Sequence, residues 1–247
     1  RLGRRTYRCW KKGGHGPVDL HRALVQSCDV FFYKVAEILE RERKGVDELA
    51  YYARALGLGS RTGIAARRES AGLVPTRAWK ERRFREKWQM GETISVAIGQ
   101  GFNLWTPIQL ASVYASISNG GIRYRPTLIK RLESPFGEVI EQPQSEAGET
   151  VPIKRESLEM VRLALRGVVH DPRGTGGRMR GLAGGVEAGG KTGTAQVIGM
   201  GKEYVDSDDL PEQFRDHAWF ATFVPAENPR IVVAVLVEHG GHGGSAA

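Results

Sequence analysis

The chain has 247 residues, 40% hydrophobic and 26% charged, with 36 Lys and Arg against 28 Asp and Glu for a net charge of +8. This length supports one sizeable core and a single domain of mixed class. No run of eighteen apolar residues occurs and the N-terminus lacks the apolar region of a secretory signal, so any membrane attachment would have to come from a segment outside these residues.

Residues 1–16 are basic and glycine-rich and carry Cys9 and His15. From Pro17, apolar residues at Leu20, Leu24, Phe31, Val35 and Ile38 recur at helical steps, and the polar triplet Ser27-Cys28-Asp29 interrupts the stripe. Phe31, Phe32 and Tyr33 read as core packing. A second helix, Val46 to Leu56, stops at Gly57-Leu58-Gly59. Residues 60–105 read as irregular, with Pro75 and several glycines. Within them, Trp79, Phe84 and Trp88 alternate with cations over residues 77–88, a pattern seen in nucleic-acid patches. The basic residues of the chain are otherwise scattered. The segment is therefore read as a solvated, partly helical loop with its aromatics tucked inward, and no nucleic-acid partner is expected. Gly99-Gln100-Gly101 lacks a third glycine in register and a following βαβ pattern, so it is not a dinucleotide loop.

Thr106-Pro107-Ile108-Gln109 is a capping box with proline at the first helical position, and it opens a helix that stops at Asn119-Gly120-Gly121. Short strands are expected over residues 122–132 and 138–141, around a turn at Ser134-Pro135-Phe136-Gly137. Residues 142–150 read as a surface loop. Leu158, Val161, Leu165 and Val168 or Val169 mark an amphipathic helix over residues 155–169. A glycine-rich arm leads to a strand that opens at Gly189-Gly190-Lys191-Thr192-Gly193-Thr194 and runs into Val197-Ile198. A polar excursion over 201–216 precedes His217–Val224, a turn at Pro225–Pro229, and Ile231–Val237. Helices first and three antiparallel strands last indicate an α+β domain.

The lysine strand carries the clearest chemistry. Two glycines let other backbone come close, and a fixed ammonium, two hydroxyls and accessible N–H groups make a site for a carboxylate and a developing oxyanion. His217 reads as a structural histidine. His239 and His242 sit in a glycine-rich connector and are not read as metal ligands.

Ser27-x-Asp29, residues 91–101, Thr106–Leu110, Lys191-Thr192-Gly193-Thr194 and His217-Ala218-Trp219-Phe220 occur in this order along essentially the whole chain. Together they resemble the transpeptidase domain of class B penicillin-binding proteins, in the elongation (rod-shape) subgroup called penicillin-binding protein 2. The resemblance implies the α+β fold shared with serine β-lactamases, an antiparallel sheet flanked by helices. It also implies peptidoglycan D,D-transpeptidation: a serine attacks the penultimate D-Ala carbonyl of a stem peptide, D-Ala leaves, and an amine of a neighbouring stem resolves the acyl-enzyme. β-Lactams would acylate the same serine. Implied partners are peptidoglycan stem peptides and membrane-embedded elongation-complex proteins such as a glycosyltransferase. The implied location is the periplasmic face of the bacterial inner membrane, through an N-terminal anchor.

By the same resemblance, Ser27 hydrogen-bonds the catalytic lysine and helps carry its proton, and Asp29, where many relatives have Asn and this subgroup commonly Asp, orients the substrate amide and the lysine. Lys191 attracts the substrate carboxylate, Thr192 and Thr194 donate hydroxyls to it, the Thr194 N–H forms half of an oxyanion hole, and Gly193 lets substrate backbone lie on the strand. The family's nucleophile motif, Ser-x-x-Lys, occurs nowhere in the 247 residues: Ser60, Ser70, Ser112 and Ser157 have no lysine three positions on. The chain starts without Met at Arg1-Leu2-Gly3-Arg4-Arg5 and reads as a partial transpeptidase domain, with that motif expected upstream and the family's closing helix after Ala247.

No cofactor is expected for catalysis. Some relatives in the subgroup hold a structural zinc with two acids, a His and a Cys; His15 and Cys28 match the last two, and Cys9 stands where one acid would be, itself a competent ligand. A Cys9–Cys28 disulfide and an unrelated pair of cysteines are the alternatives. For the activity, the alternatives are a non-catalytic interaction module derived from a transpeptidase, a serine β-lactamase, and a division-type transpeptidase. The spellings at 91–101 and 217–220 argue against the β-lactamase, and the Ser-Cys-Asp triplet against the division type.

Overall fold

The computed structural model describes residues 6–182, 184–197 and 207–247. The arginine-rich opening, Ile198 and residues 201–206 of the polar excursion lie outside the described residues.

The stripe that begins after Pro17 forms two helices. Helix α1 (Leu20–Val25) is capped by Asp19, whose carboxylate accepts from the Arg22 N–H at 2.8 Å. Helix α2 (Asp29–Glu42) restarts the chain after Ser27, which takes φ +53°. That left-handed residue separates the two helices and leaves Ser27 and Cys28 between them, with Asp29 opening α2. Phe31, Phe32 and Tyr33 are half-buried, less deep than a core reading requires. Helix α3 (Val46–Ala55) follows.

Residues 60–105 hold more order than their glycines and Pro75 indicate. Helix α4 (Arg77–Phe84) starts at Thr76, whose hydroxyl accepts from the Trp79 N–H at 3.0 Å. Helix α5 (Met90–Ala97) starts where the Glu92 carboxylate accepts from the Gln89 N–H at 2.7 Å. Both helices are too short to show a clear apolar period, which is why the segment reads as irregular, and each is set by its N-terminal cap. Trp79, Phe84, Trp88 and Phe102 meet edge-on or tilted; Trp88 is buried and Trp79 half-buried, as the inward-tucked reading expects, but Phe84 is exposed. Trp88 Nε1 donates to Thr93 Oγ1 at 2.7 Å and Thr93 donates on to Glu40 of α2, fastening α5 to α2.

Helix α6 (Pro107–Ser118) carries both halves of the capping box anticipated from Thr106 and Gln109. After it, the stretch 122–132, expected to hold a short strand, is strand only at its two ends, β1 (Ile122–Tyr124) and β2 (Leu132–Glu133). Among the described residues, strand β2 pairs only with β3 (Val139–Glu141). The polar stretch read as a loop contains β4 (Ala147–Thr150), antiparallel to β1 with Ile122 opposite Thr150. Its side chains are all exposed, so no apolar alternation betrays it.

Helix α7 (Arg155–His170) buries Leu158, Leu165, Val168 and Val169 of the stripe read from the sequence, and also Ala164, while Val161 is half-buried. A short helix α8 (Met179–Leu182) precedes the main sheet of β5 (Gly189–Ala195), β6 (His217–Val224) and β7 (Ile231–Val237). The strand order is β5-β6-β7, all antiparallel, with Lys191 opposite Ala221 and Thr194 opposite Ala218. Strand β5 ends before Val197, which is exposed. A final turn of helix, α9 (Gly243–Ala246), closes the chain where a connector was expected.

Helix α7 covers the sheet through Leu165 on Phe223 and Val169 on Ala188 and Phe220. Phe223 has no exposed surface, and burial of such a ring stabilises by roughly 1.5–3 kcal/mol. Its partner position must be glycine, since a Cβ at Gly189 would lie 2.4 Å from Phe223 Cζ. A second cluster, Ala50, Leu58, Val74 and Val113, joins α3 to α6. No helix among the described residues is long and apolar enough to cross a membrane.

Candidate active site

The site lies where the break between α1 and α2 meets strand β5. Lys191 projects from β5, and its Nζ donates to Ser27 Oγ at 2.9 Å and to the Thr192 carbonyl at 2.9 Å, with Thr192 Oγ1 at 3.4 Å. Thr192 Oγ1 is 2.8 Å from Thr175 Oγ1, so a chain of polar groups runs from Ser27 through the ammonium to the glycine-rich arm. The Gly243 N–H donates to Thr194 Oγ1 at 3.3 Å, seating α9 on the strand.

Charge in this pocket is tuned by dehydration. Burial pulls the Lys191 ammonium down from its ordinary value of 10.5 to about 8, and the Asp29 carboxylate opposes that shift. Burial pushes the Asp29 carboxyl up; the Trp10 N–H, the Cys9 thiol and the Lys191 charge pull it back. Asp29 is held from the other side by the Trp10 N–H, 3.0 Å from Oδ2. The indole of Trp10 donates to the Ser27 carbonyl at 2.8 Å, so the residue braces the left-handed turn that presents the Ser27 hydroxyl. A lysine whose charged form is weakened by burial, bonded to a serine hydroxyl and near a carboxylate, can bind an anion and relay a proton.

The structure therefore brings together Ser27, Asp29, Lys191, Thr192 and Thr194, as the sequence motifs anticipated, and Gly193 lies on the same strand. Three neighbours were not anticipated: Trp10, Thr175 and Gln100. Gln100 donates from Nε2 to the Thr194 carbonyl and accepts from the Gln196 N–H at 3.3 Å. The Gly174-Thr175-Gly176-Gly177 run and the Gly-Gln-Gly loop were visible in the sequence as flexible spellings only; Trp10 had no signal.

Cys9, His15 and Cys28 also converge, with one donor atom from each lying within 4.8 Å of the others. Cys9 Sγ is 3.3 Å from His15 Nδ1, and His15 Nε2 is buried with no hydrogen-bond partner. Both cysteines are unbonded thiols. They line a cavity of about 360 Å³ with Val18, Val30 and Phe31. An orphaned imidazole nitrogen beside two sulfurs fits a zinc ion, whose preferred donors are these. Burial raises the Cys28 thiol and lowers His15. His217 and His239 form no such group: His217 Nδ1 accepts from the His239 N–H at 2.9 Å and the rings pack 4.8 Å apart, a structural pairing.

Residues 2–247 match the family model of the penicillin-binding protein transpeptidase domain. The chain is 36% identical over 244 residues to peptidoglycan D,D-transpeptidase MrdA of Haemophilus influenzae, covering 98% of this chain and 36% of that protein. Among solved structures, it is similar to the penicillin-binding protein PBP2 of Helicobacter pylori in complex with MreC, with a TM-score of 0.81, 30% identity, and 99% of this chain against 41% of the other. It is also similar to Pseudomonas aeruginosa PBP2 in complex with WCK 5153, with a TM-score of 0.78, 34% identity, and 99% against 50%. The chain thus spans well under half the length of the curated relative.

Proposed function

This chain belongs to the penicillin-binding protein transpeptidase domain family, and on that premise we propose that it forms part of a peptidoglycan D,D-transpeptidase that cross-links stem peptides during cell elongation. The observation that carries the reading is the Lys191–Ser27 bond across the break between α1 and α2.

In this reading Lys191 attracts the terminal carboxylate of a stem peptide, and the hydroxyls of Thr192 and Thr194 bond to it. The ammonium gives Ser27 a fixed donor, so the Ser27 oxygen is oriented to receive and pass a proton as the acyl-enzyme forms and resolves. Asp29 bonds the substrate amide. The Thr194 N–H stabilises the developing oxyanion, and Gly193 leaves room for substrate backbone on the strand. The attacking serine would come from a Ser-x-x-Lys segment outside these residues, and β-lactams would acylate the same serine.

The set Cys9, His15 and Cys28 would hold a structural zinc, with Cys9 replacing an acid. Such an ion supplies no step of the reaction. It would tie residues 9–15 to the turn that carries Ser27 and Asp29. The H. pylori relative is described in complex with MreC, and we extend that kind of partner, a component of an elongation complex at the outer face of the inner membrane, to the protein carrying this chain.

Labelling the whole protein with a fluorescent penicillin tests the reading. Covalent label on the wild type that is lost in Lys191→Ala supports it. A folded wild-type protein that takes no label favours the other reading, a non-catalytic interaction module.

A further inference from the structure

The loop Gly99-Gln100-Gly101 has no place in the mechanism so far. It leaves α5 in a reversed turn in which the Gln100 N–H donates to the Ser95 carbonyl at 2.9 Å, with Gly99 and Gly101 both at positive φ. Asn103 Nδ2 donates to the Val96 carbonyl at 3.1 Å and to the Gln100 carbonyl at 3.2 Å, so the loop backbone is fixed. The Trp88, Thr93 and Glu40 bonds in turn fix α5 to α2, the helix that starts at Asp29.

From this frame the Gln100 side chain reaches β5. Strand β5 is at the edge of its sheet, with β6 on one side and no strand on the other among the described residues. Gln100 donates to the carbonyl of Thr194 and accepts from the N–H of Gln196, the pair of groups a neighbouring strand would use. In an extended strand the N–H and C=O of one residue point the same way, and alternate residues share an edge. The outward groups therefore belong to Thr192, Thr194 and Gln196. The Thr192 carbonyl takes the Lys191 ammonium, and Gln100 takes the Thr194 carbonyl and Gln196 N–H. The Thr194 N–H faces the same edge between these anchored groups.

We propose that Gln100 is a positioning residue for acyl transfer: its carboxamide stands in for a missing strand, holding the Thr194 peptide so that its N–H is aimed at the oxyanion. The inference rests on the transpeptidase reading above and adds to it the residue that sets the donor angle.

The test is the time course of acylation by a fluorescent penicillin, on the whole protein carrying this chain, resolved into non-covalent affinity and the acylation rate constant. Gln100→Ala removes both bonds. Gln100→Glu keeps the acceptor for Gln196 but sets a carboxylate oxygen against the Thr194 carbonyl. The expected result is an acylation rate constant lowered about 10- to 100-fold in both variants. Non-covalent affinity should stay within about threefold, and the melting temperature within about 4 °C, of wild type. Both variants acylating at the wild-type rate would overturn the inference, as would equal losses in affinity and rate. Where Gln100→Ala does not fold, Gln100→Glu decides; unfolding of both overturns the positioning role in favour of a purely structural one. Wild-type protein that is folded and unlabelled overturns the transpeptidase reading itself, a failure visible before any variant is compared.

Discussion

Lys191 Nζ and Ser27 Oγ are 2.9 Å apart although 164 positions separate them in the chain. The bond closes the angle between a left-handed turn and a sheet edge, and two substitutions separate its two components. Ser27→Ala keeps the backbone strain and deletes the hydroxyl, while Ser27→Gly deletes the hydroxyl and relieves the strain of φ +53°. Both should lose about 100-fold in acylation rate by a penicillin, in the range of a lost proton-relay group. Ser27→Gly should melt at or above Ser27→Ala, by up to about 1 kcal/mol, since that is the cost of a left-handed L-residue. Undiminished acylation of Ser27→Ala would show that the hydroxyl carries no proton.

The lowered Lys191 value sets a pH dependence. The charged form binds a carboxylate, so non-covalent affinity for a penicillin should fall as pH rises through about 8, where an ordinary lysine would hold its charge to above 10. Stability moves the other way. The unfolded chain keeps the proton more tightly between about 8 and 10.5, so this group makes the folded protein gain stability across that window. Pre-acylation affinity measured from about pH 6 to 10 checks the first; a flat profile through 8 would remove the buried-lysine account.

Gly243 is where α9 meets the sheet. A Cβ there would lie 2.0 Å from the Gly193 carbonyl oxygen and 2.7 Å from that of Trp219, both backbone atoms that cannot swing aside. Gly243→Ala should lift α9 from β5, break the Gly243 to Thr194 bond, and cost about 1–3 kcal/mol in thermal unfolding, as overpacking does. Gly181→Ala, where a Cβ meets nothing within 4 Å, is the control and should melt like wild type.

If Cys9, His15 and Cys28 hold zinc, chelation should release one equivalent of metal and expose two titratable thiols, with a drop in melting temperature. Binding at 100 times the dissociation constant contributes about 2.7 kcal/mol, so the drop should be several degrees. Metal-free protein as isolated, with Cys9 and Cys28 found in one disulfide-linked peptide by mass spectrometry, would replace the metal with a crosslink.

The site divides along the same line as the fold. Helix α6 was legible because Thr106, Pro107 and Gln109 act on backbone groups within one turn, and α7 because Leu158, Leu165 and Val169 share one face. Lys191 with its glycines and threonines was legible as an ammonium beside open backbone, and family spelling tied it to Ser27 and Asp29. Strand β4 was not legible, because its exposed residues carry no apolar alternation and its order comes only from pairing with β1. Trp10, Thr175 and Gln100 were not legible for a related reason. A polar side chain that bonds across the fold has the same local pattern as one that faces water, and Gln100 finds Thr194, 94 positions further on, only once the chain between them is folded. The sequence by itself determined which segments could be helix or strand and which groups could do chemistry, since propensity and periodicity act within a few residues. Only the tertiary structure decided which of those groups meet, because long-range closure is set by the packing of α7 on the sheet and of α5 on α2.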